Sequence, residues 1–193
     1  MGIAIFGLNG AGKSTLTHAL AKELKFYEMD VEDYYFPEQK ESRKSALENI
    51  ATNAADCSEE LPYSNSRSKE EVQEALLKDV EEHSDFILAG VNMNWCEEIL
   101  SRIEFAFWVK APLEKRLERI RCREEKRFGA RVLQGGDMYE QQEEFRKVVA
   151  SREEASLKEC VQKLPCPVVV LDGTLPVECN IKKIKEIING QEH

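Results

Sequence analysis

Nine consecutive residues near the start of the chain have the types and the spacing needed to bind the phosphate groups of a nucleotide. They match the pattern G-x-x-x-x-G-K-[ST] and are Gly7, Leu8, Asn9, Gly10, Ala11, Gly12, Lys13, Ser14 and Thr15. Gly7 and Gly12 permit backbone conformations that a Cβ would hinder, so backbone N–H groups can point at phosphate oxygens. Lys13 supplies a positive charge to the β- and γ-phosphates, and the Ser14 hydroxyl can bind Mg²⁺.

The residues on either side of this loop predict the elements that such a loop needs. Residues 3–6 are an apolar run with the length of a buried strand. Leu16, Leu20 and Leu24 then recur at helical spacing. A helix that begins at the loop adds the positive end of its dipole to the phosphate site. This context makes a chance glycine turn the weaker interpretation.

An acidic cluster follows the second predicted strand, which we expect to end near Asp30 and to lead into a loop. The cluster consists of Asp30, Glu32 and Asp33. In an open parallel sheet, ligands bind at the carboxyl edge, where the glycine-rich loop also opens. A carboxylate there can hold a magnesium-bound water or accept a proton from a substrate hydroxyl, although a solvated acidic turn is the simpler alternative. No carboxylate directly follows the third predicted strand, 86–91. This absence favours Asp30 and its neighbours as the residues that bind the metal.

Arginines form a second cluster of charge in a helix predicted after the fourth strand. Four of them fall within about 80° of one another at about 100° per residue, and they are Arg116, Arg119, Arg123 and Arg127. We expect an exposed strip that binds phosphate, the alternative being neutralisation by nearby glutamates, namely Glu118, Glu124 and Glu125. Glycine breaks flank Arg131 and predict a small lid at about 123–138, since lids exclude water and bring arginines to a transferring phosphoryl group.

The polar segment at about 37–68 is the predicted acceptor-binding segment. It includes a possible helix at 45–55 and three cationic residues that could meet an anionic substrate, although we expect them to be exposed: Arg43, Lys44 and Arg67. A capping box at Ser68 and Glu71 predicts the start of the following helix.

Five strand–helix units account for the chain and predict a parallel sheet with helices on both faces. The fourth and fifth strands are predicted at 105–109 and 168–171, and a long helix is predicted at 139–161. On that helix, either Arg146 or Arg152 could reach back to the cleft.

Length, charge and cysteine spacing limit what the chain can be. Its 193 residues suit one domain, 1–193, and its net charge of −9 argues against a broad nucleic-acid-binding face. The six cysteines include no C-x-x-C pair, which argues against a zinc site. No apolar run approaches membrane-spanning length and no signal peptide precedes the first strand. We expect a cytoplasmic monomer or homodimer that binds neither nucleic acid nor membrane.

Together these features resemble the small P-loop kinases, the group that contains adenylate, shikimate and nucleoside kinases. The resemblance covers nearly the whole chain and is specific at the phosphate-binding loop. It implies an α/β protein with the three-layer P-loop NTPase fold, a five-stranded parallel sheet with helices on both faces and a small arginine-rich lid.

The resemblance gives two assignments for the acidic cluster. Residues 32–35, Glu-Asp-Tyr-Tyr, followed by Pro37, are similar to the signature of uridine-kinase-type enzymes, in which an Asp acts on the acceptor hydroxyl. Asp33 would then be the base. Residues 30–32, Asp-Val-Glu, instead resemble the D-x-D pair of shikimate-type kinases. The base and the metal ligand therefore stay open among the three carboxylates.

The resemblance also implies roles elsewhere. Arg119 and Arg123 are similar to the arginine pair that contacts adenine and phosphates, and Gly173 and Thr174 lie in a stretch that looks like the adenine-side loop. The implied activity is ATP- and Mg²⁺-dependent transfer of a phosphoryl group to a small-molecule substrate, with ADP as product and a nucleoside or nucleotide as the leading acceptor.

In that mechanism, Lys13 holds the phosphates, Ser14 and an outer-shell Asp30 hold Mg²⁺, and Asp33 orients or deprotonates the acceptor hydroxyl. The migrating charge is stabilised, once the lid closes, by three arginines: Arg123, Arg127 and Arg131. Two alternatives stay open. One is a nucleotide-binding regulatory or assembly ATPase without small-molecule kinase activity, and the other is a kinase for a metabolite that is not a nucleoside.

Overall fold

Five short apolar runs form the strands of one parallel sheet. The structure is a computed structural model that describes residues 1–48 and 62–190. The strands are β1 (Gly2–Phe6), β2 (Tyr27–Asp30), β3 (Phe86–Gly90), β4 (Ile103–Lys110) and β5 (Val168–Asp172), in the order β2-β3-β1-β4-β5. All neighbouring strands pair in parallel, which confirms the predicted parallel sheet.

Helices connect the strands and cover both faces of the sheet. They are α1 (Lys13–Leu24), α2 (Val31–Tyr35), α3 (Lys40–Leu47), α4 (Lys69–Glu82), α5 (Glu97–Leu100), α6 (Leu113–Phe128), α7 (Tyr139–Ser151), α8 (Ala155–Lys163) and α9 (Val177–Gly190), with short 3₁₀ helices at Pro37–Gln39 and Gly129–Val132. In the part of the chain that the structure describes, no helix is long and apolar enough to cross a bilayer.

The core has two layers because side chains of β1 alternate between the faces of the sheet. Ala4 and Phe6 join an apolar cluster that also contains Leu76 of α4 and Leu157 of α8. On the other face, Ile5 joins a cluster with side chains of α1 and α9. Burial on both faces fixes the central strand, so the carboxyl end of β1 holds the glycine-rich loop in a defined position.

Three predicted elements differ from the structure. The segment after β2 is the short helix α2 rather than a loop, because the Asp30 side chain accepts a hydrogen bond from the Glu32 amide at 3.0 Å and caps it. The helix predicted at 45–55 begins earlier, as α3, and residues 49–61 lie outside the described residues. The long helix predicted at 139–161 ends at Ser151, since Arg152 is extended, and α8 begins at Ala155.

The capping box at the start of α4 is confirmed. The Ser68 hydroxyl accepts from the Glu71 amide at 3.2 Å, and the Glu71 carboxylate accepts from the Ser68 amide at 2.8 Å. These bonds satisfy two groups that a helix start leaves without intrahelical partners.

We expect Ser68→Ala to lower the free energy of unfolding by about 1 kcal/mol, because the first turn of α4 loses its cap. The measurement is chemical denaturation followed by circular dichroism. The matched control is Ser66→Ala, because Ser66 is exposed and its hydroxyl donates to the neighbouring Arg67 carbonyl. Equal stability of the two variants would contradict a stabilising role for the capping box.

Candidate active site

The glycine-rich loop joins the end of β1 to the start of α1 and needs glycine for its shape. Gly7 has φ +149° and Gly12 has φ +103°, backbone conformations that residues with a Cβ rarely adopt. A Cβ on Gly7 would also lie 2.2 Å from the carbonyl oxygen of Val109 on β4. The loop therefore packs directly on the sheet, and Lys13 and Ser14 follow it as the first residues of α1.

Lys13 folds back over the loop. Its Nζ donates a hydrogen bond to the Leu8 carbonyl at 3.2 Å. Burial lowers the pKa of Lys13 to about 8, against the opposing effect of the carboxylates of Asp30 and Glu32. The side chain is thus still mostly protonated at neutral pH, at the place where the motif requires a charge for phosphate oxygens.

Ser14 and Asp30 meet beside the loop. The Ser14 hydroxyl donates to Asp30 Oδ2 at 2.6 Å, and Asp30 is buried at the end of β2. The pair offers two hard oxygen ligands, the donor set that suits Mg²⁺ when substrate phosphates and waters complete its shell. The two residues predicted to hold the metal therefore lie together.

Arg43 neutralises the acidic cluster, a role that the sequence did not reveal. Its guanidinium forms ion pairs with Asp30 at 2.8 Å, Glu32 at 2.9 Å and Asp33 at 3.1 Å. The expectation that Arg43 is exposed is wrong, since only 9% of its surface is accessible. The one signal available in the sequence was the acidic cluster itself, because three clustered carboxylates need a cation once they are buried.

Asp33 has the environment of a potential base. Burial raises the pKa of the Asp33 carboxyl to about 6, although Arg43 lowers it. A carboxylate with this pKa is ionised at neutral pH, and it accepts a proton more readily than an ordinary Asp does.

The four arginines of α6 have different partners, and two of them contact the glycine-rich loop. Arg116 donates to the Asn9 carbonyl at 3.3 Å, and Arg119 donates to the Ala11 carbonyl at 3.2 Å. Arg123 donates twice to Glu124, at 2.9 and 2.6 Å, so the alternative of glutamate neutralisation holds for this residue. The charge of Arg123 also contributes to the lowered pKa of Lys13.

Arg116 and Arg127 are both buried. The prediction that they belong to an exposed strip is therefore wrong. The Arg127 guanidinium donates to the Tyr63 hydroxyl, and to Gln39 and Ser42 at 3.3 Å each. These partners belong to the predicted acceptor-binding segment. The structure thus places Arg127 against that segment and not against the glycine-rich loop.

The predicted lid starts inside α6 and continues through the 3₁₀ helix that follows. Arg131 forms an ion pair with Asp137 at 2.7 Å, so it would have to leave Asp137 in order to reach a phosphate group.

The predicted adenine-side loop lies against the glycine-rich loop. A Cβ on Gly173 would lie 2.4 Å from the Ala11 carbonyl oxygen. The Thr174 hydroxyl donates to Asp172 at 2.6 Å, which fixes the turn after β5. Arg119 and Gly173 thus both approach Ala11.

The break between α7 and α8 adds two contacts near the loop. Arg152 donates to the Asn9 side chain, whereas Arg146 pairs with Glu143 and remains on α7. Lys110 forms an ion pair with Glu154 at 2.7 Å and lies 3.9 Å from the centroid of the Trp108 ring. Of the two arginines considered for the cleft, the structure brings Arg152 to it.

The sequence is similar to a protein family and to a protein of known sequence. The family model for the AAA domain matches residues 3–131. The uncharacterized protein YqaC of Bacillus subtilis (strain 168) is 25% identical over 196 residues, which cover 97% of this chain and 97% of the relative.

Two solved structures share the fold. A shikimate kinase from Bacteroides thetaiotaomicron has a TM-score of 0.58 and 16% identity, over 98% of each chain. A deoxyadenosine kinase from M. mycoides has a TM-score of 0.53 and 19% identity, over 98% of this chain and 100% of the other. At these identities the likeness concerns the fold, which is that of the small P-loop kinases.

We expect Arg43→Met to lower the free energy of unfolding by about 3 kcal/mol at pH 7.5, because it leaves three clustered carboxylates without their cation. This loss of unfolding free energy should become smaller as the pH is lowered. Without Arg43, the pKa of Asp33 in the folded state rises further above its value in the unfolded state. The loss of stability is therefore complete above the folded-state pKa and becomes smaller as the pH falls and Asp33 is protonated.

Urea denaturation at pH 7.5 and 5.5 measures both effects. Lys44→Met is the matched control, since Lys44 is the exposed neighbour on α3. A deficit for Arg43→Met that is independent of pH would show that lost packing, and not unpaired charge, causes it.

Proposed function

The chain belongs to the AAA domain family, and from this premise we propose that it is an ATP- and Mg²⁺-dependent phosphotransferase that acts on a small metabolite. A nucleoside or nucleotide is the leading acceptor of the sequence analysis. The observation that carries the proposal is the hydrogen bond between Ser14 and Asp30. It joins the phosphate-binding loop to the acidic cluster, so a bound nucleotide and an acceptor at Asp33 would be neighbours.

The proposed chemistry depends on position and on charge. Phosphoryl transfer leaves little covalent work for the protein, which acts mainly by alignment and electrostatic stabilisation. Backbone N–H groups of the loop and Lys13 bind the β- and γ-phosphates. Ser14 and Asp30 would hold Mg²⁺, which supplies neutralisation of phosphate charge when bound.

Asp33 and Arg123 act on the two sides of the transferred group in this proposal. Asp33 orients the acceptor hydroxyl and accepts its proton, as its raised pKa allows. Arg123, whose charge already acts on Lys13, stabilises the charge that moves from the leaving to the attacking oxygen. Arg131 joins it if the lid segment closes and the Asp137 ion pair opens.

The experiment that tests the proposal is ADP release from Mg²⁺-ATP with and without a panel of acceptors. The panel contains nucleosides, nucleoside monophosphates and small hydroxy acids. Strong stimulation by one acceptor, together with its phosphorylated product, supports the kinase. Tight ATP binding without stimulation by any acceptor favours the alternative of a nucleotide-binding regulatory or assembly ATPase, whose partner binding would change with the nucleotide.

We expect Lys13→Ala to lower kcat for ADP release at least about 100-fold, the usual order for the loss of one preorganised group that stabilises transition-state charge. The circular dichroism spectrum should stay unchanged. The control is Lys22→Ala, because Lys22 is exposed on the same helix. Unchanged turnover in Lys13→Ala would contradict the proposal.

We expect kcat/KM for the acceptor to fall about tenfold per pH unit below pH 6, because protonation of Asp33 removes the base. Asp33→Asn should remove this dependence together with most of the activity. Glu32→Gln is the comparison variant, since the sequence leaves Glu32 open as the base. Loss of activity in Glu32→Gln, with retention in Asp33→Asn, would transfer the role to Glu32.

A further inference from the structure

Arg127 is a buried cation beside the candidate active site and has no counter-charge among the described residues. Arg127 is 6% exposed in the last turn of α6. Within the described part of the chain it forms no ion pair with a carboxylate, and its contacts are the neutral groups of Tyr63, Gln39 and Ser42. Its Nε is buried and has no hydrogen-bond partner among the described residues. Buried charges in proteins are normally paired.

Two other arginines at the site have carboxylate partners. Arg43 has three carboxylates around it, and Arg123 has Glu124. The rings of Phe128 and Tyr63 lie 4.8 and 5.5 Å from the Arg127 guanidinium carbon. These rings stabilise a cation modestly but supply no opposite charge. Arg127 is therefore ready to bind an anion in a way that Arg43 and Arg123 are not.

The main partner of Arg127 is itself held in an unfavourable conformation. Tyr63 has φ +66°, a left-handed conformation that favours glycine and that is uncommon for a residue with a bulky side chain. Gln141 fixes the residue before it by donating to the Pro62 carbonyl at 3.2 Å, and Gln141 Oε1 is buried without a partner among the described residues. An uncommon backbone conformation at Tyr63 and an unpaired polar atom of Gln141 therefore lie next to the Arg127–Tyr63 hydrogen bond.

The position of this contact links it to the acidic cluster. Ser42 contacts Arg127, and the next residue of α3, Arg43, contacts Asp33. Adjacent residues of one helix therefore touch both groups. A small molecule whose hydroxyl lies at Asp33 could place a second group at Arg127.

We infer that Arg127 and Tyr63, with Gln39 and Ser42, form a binding site for an anionic group of the acceptor, either a carboxylate or a phosphate ester. A guanidinium and a phenol hydroxyl are strong donors to such groups. The acceptor is then a hydroxylated anion and not a neutral nucleoside or sugar. That the ligand also carries a hydroxyl group that accepts the phosphoryl group rests on the proposed function. The anion site itself does not.

The first test needs no catalysis. The glycine-rich loop is first saturated with Mg²⁺ and a non-hydrolysable ATP analogue, so that added anions cannot bind there. Inorganic phosphate or acetate then replaces chloride at constant ionic strength, and the melting temperature is measured. We expect one of the two anions to raise the melting temperature of the wild type, which identifies a phosphate or a carboxylate site.

Arg127→Met should lose this response, and Arg121→Met should keep it, because Arg121 is exposed on the same helix. If Arg127→Met does not fold, Tyr63→Phe and Arg127→Lys take its place, since each removes part of the donor set. Equal responses in the wild type and these variants, or no response to either anion in the wild type, would overturn the anion site.

The second test compares acceptors in matched pairs: hydroxy acids with their amides, sugar phosphates with free sugars, and nucleoside monophosphates with nucleosides. In the wild type, the anionic member should have a KM at least about tenfold lower. Arg127→Met should raise that KM about 10- to 100-fold, the usual loss for charge-assisted hydrogen bonds, and leave the KM of the neutral member unchanged.

Preference of the wild type for the neutral members would overturn the inference. Transfer to no compound, with the anion response of the melting temperature intact, would refute the phosphotransferase proposal and leave the anion site standing.

Discussion

The ion pairs between Arg43 and the acidic cluster are the interaction on which the candidate site depends. Asp30, Glu32 and Asp33 crowd three carboxylates at the end of β2. Without a cation, burial would protonate or expel them. Because Arg43 lies on α3, the same ion pairs join α3 to the end of β2 and to α2. Asp30 also lies beside Ser14, so one guanidinium contacts both the candidate metal ligand and the candidate base.

Helix α6 connects the two halves of the site. Near its start, Arg116 and Arg119 bind carbonyl groups of the glycine-rich loop. At its end, Arg127 binds the segment that carries Tyr63. A helix that touches both the glycine-rich loop and the predicted acceptor-binding segment provides a physical route by which occupancy of one could affect the other. Beyond the end of α6, Arg131 forms an ion pair with Asp137.

Local patterns predicted the elements well where burial and sequence period agree. The five apolar runs became five parallel strands, and the capping box at Ser68 starts α4 as its residues require. Prediction failed where a distant contact competes with local preference. The helix expected at 139–161 breaks after Ser151, and the break brings Arg152 to Asn9 and Glu154 to Lys110. Helical propensity contains no information about those partners.

The sequence by itself determined the phosphate-binding loop and the α/β order of elements, because both arise from residues adjacent along the chain. Only the tertiary structure decided the use of the charged residues. Arg43 is buried against carboxylates, Arg123 is paired with Glu124, and Arg127 is buried with neutral partners. An arginine in a polar stretch looks the same in all three cases. Its ionic environment depends on which helices pack together, and that depends on the burial of apolar side chains far from it in the sequence.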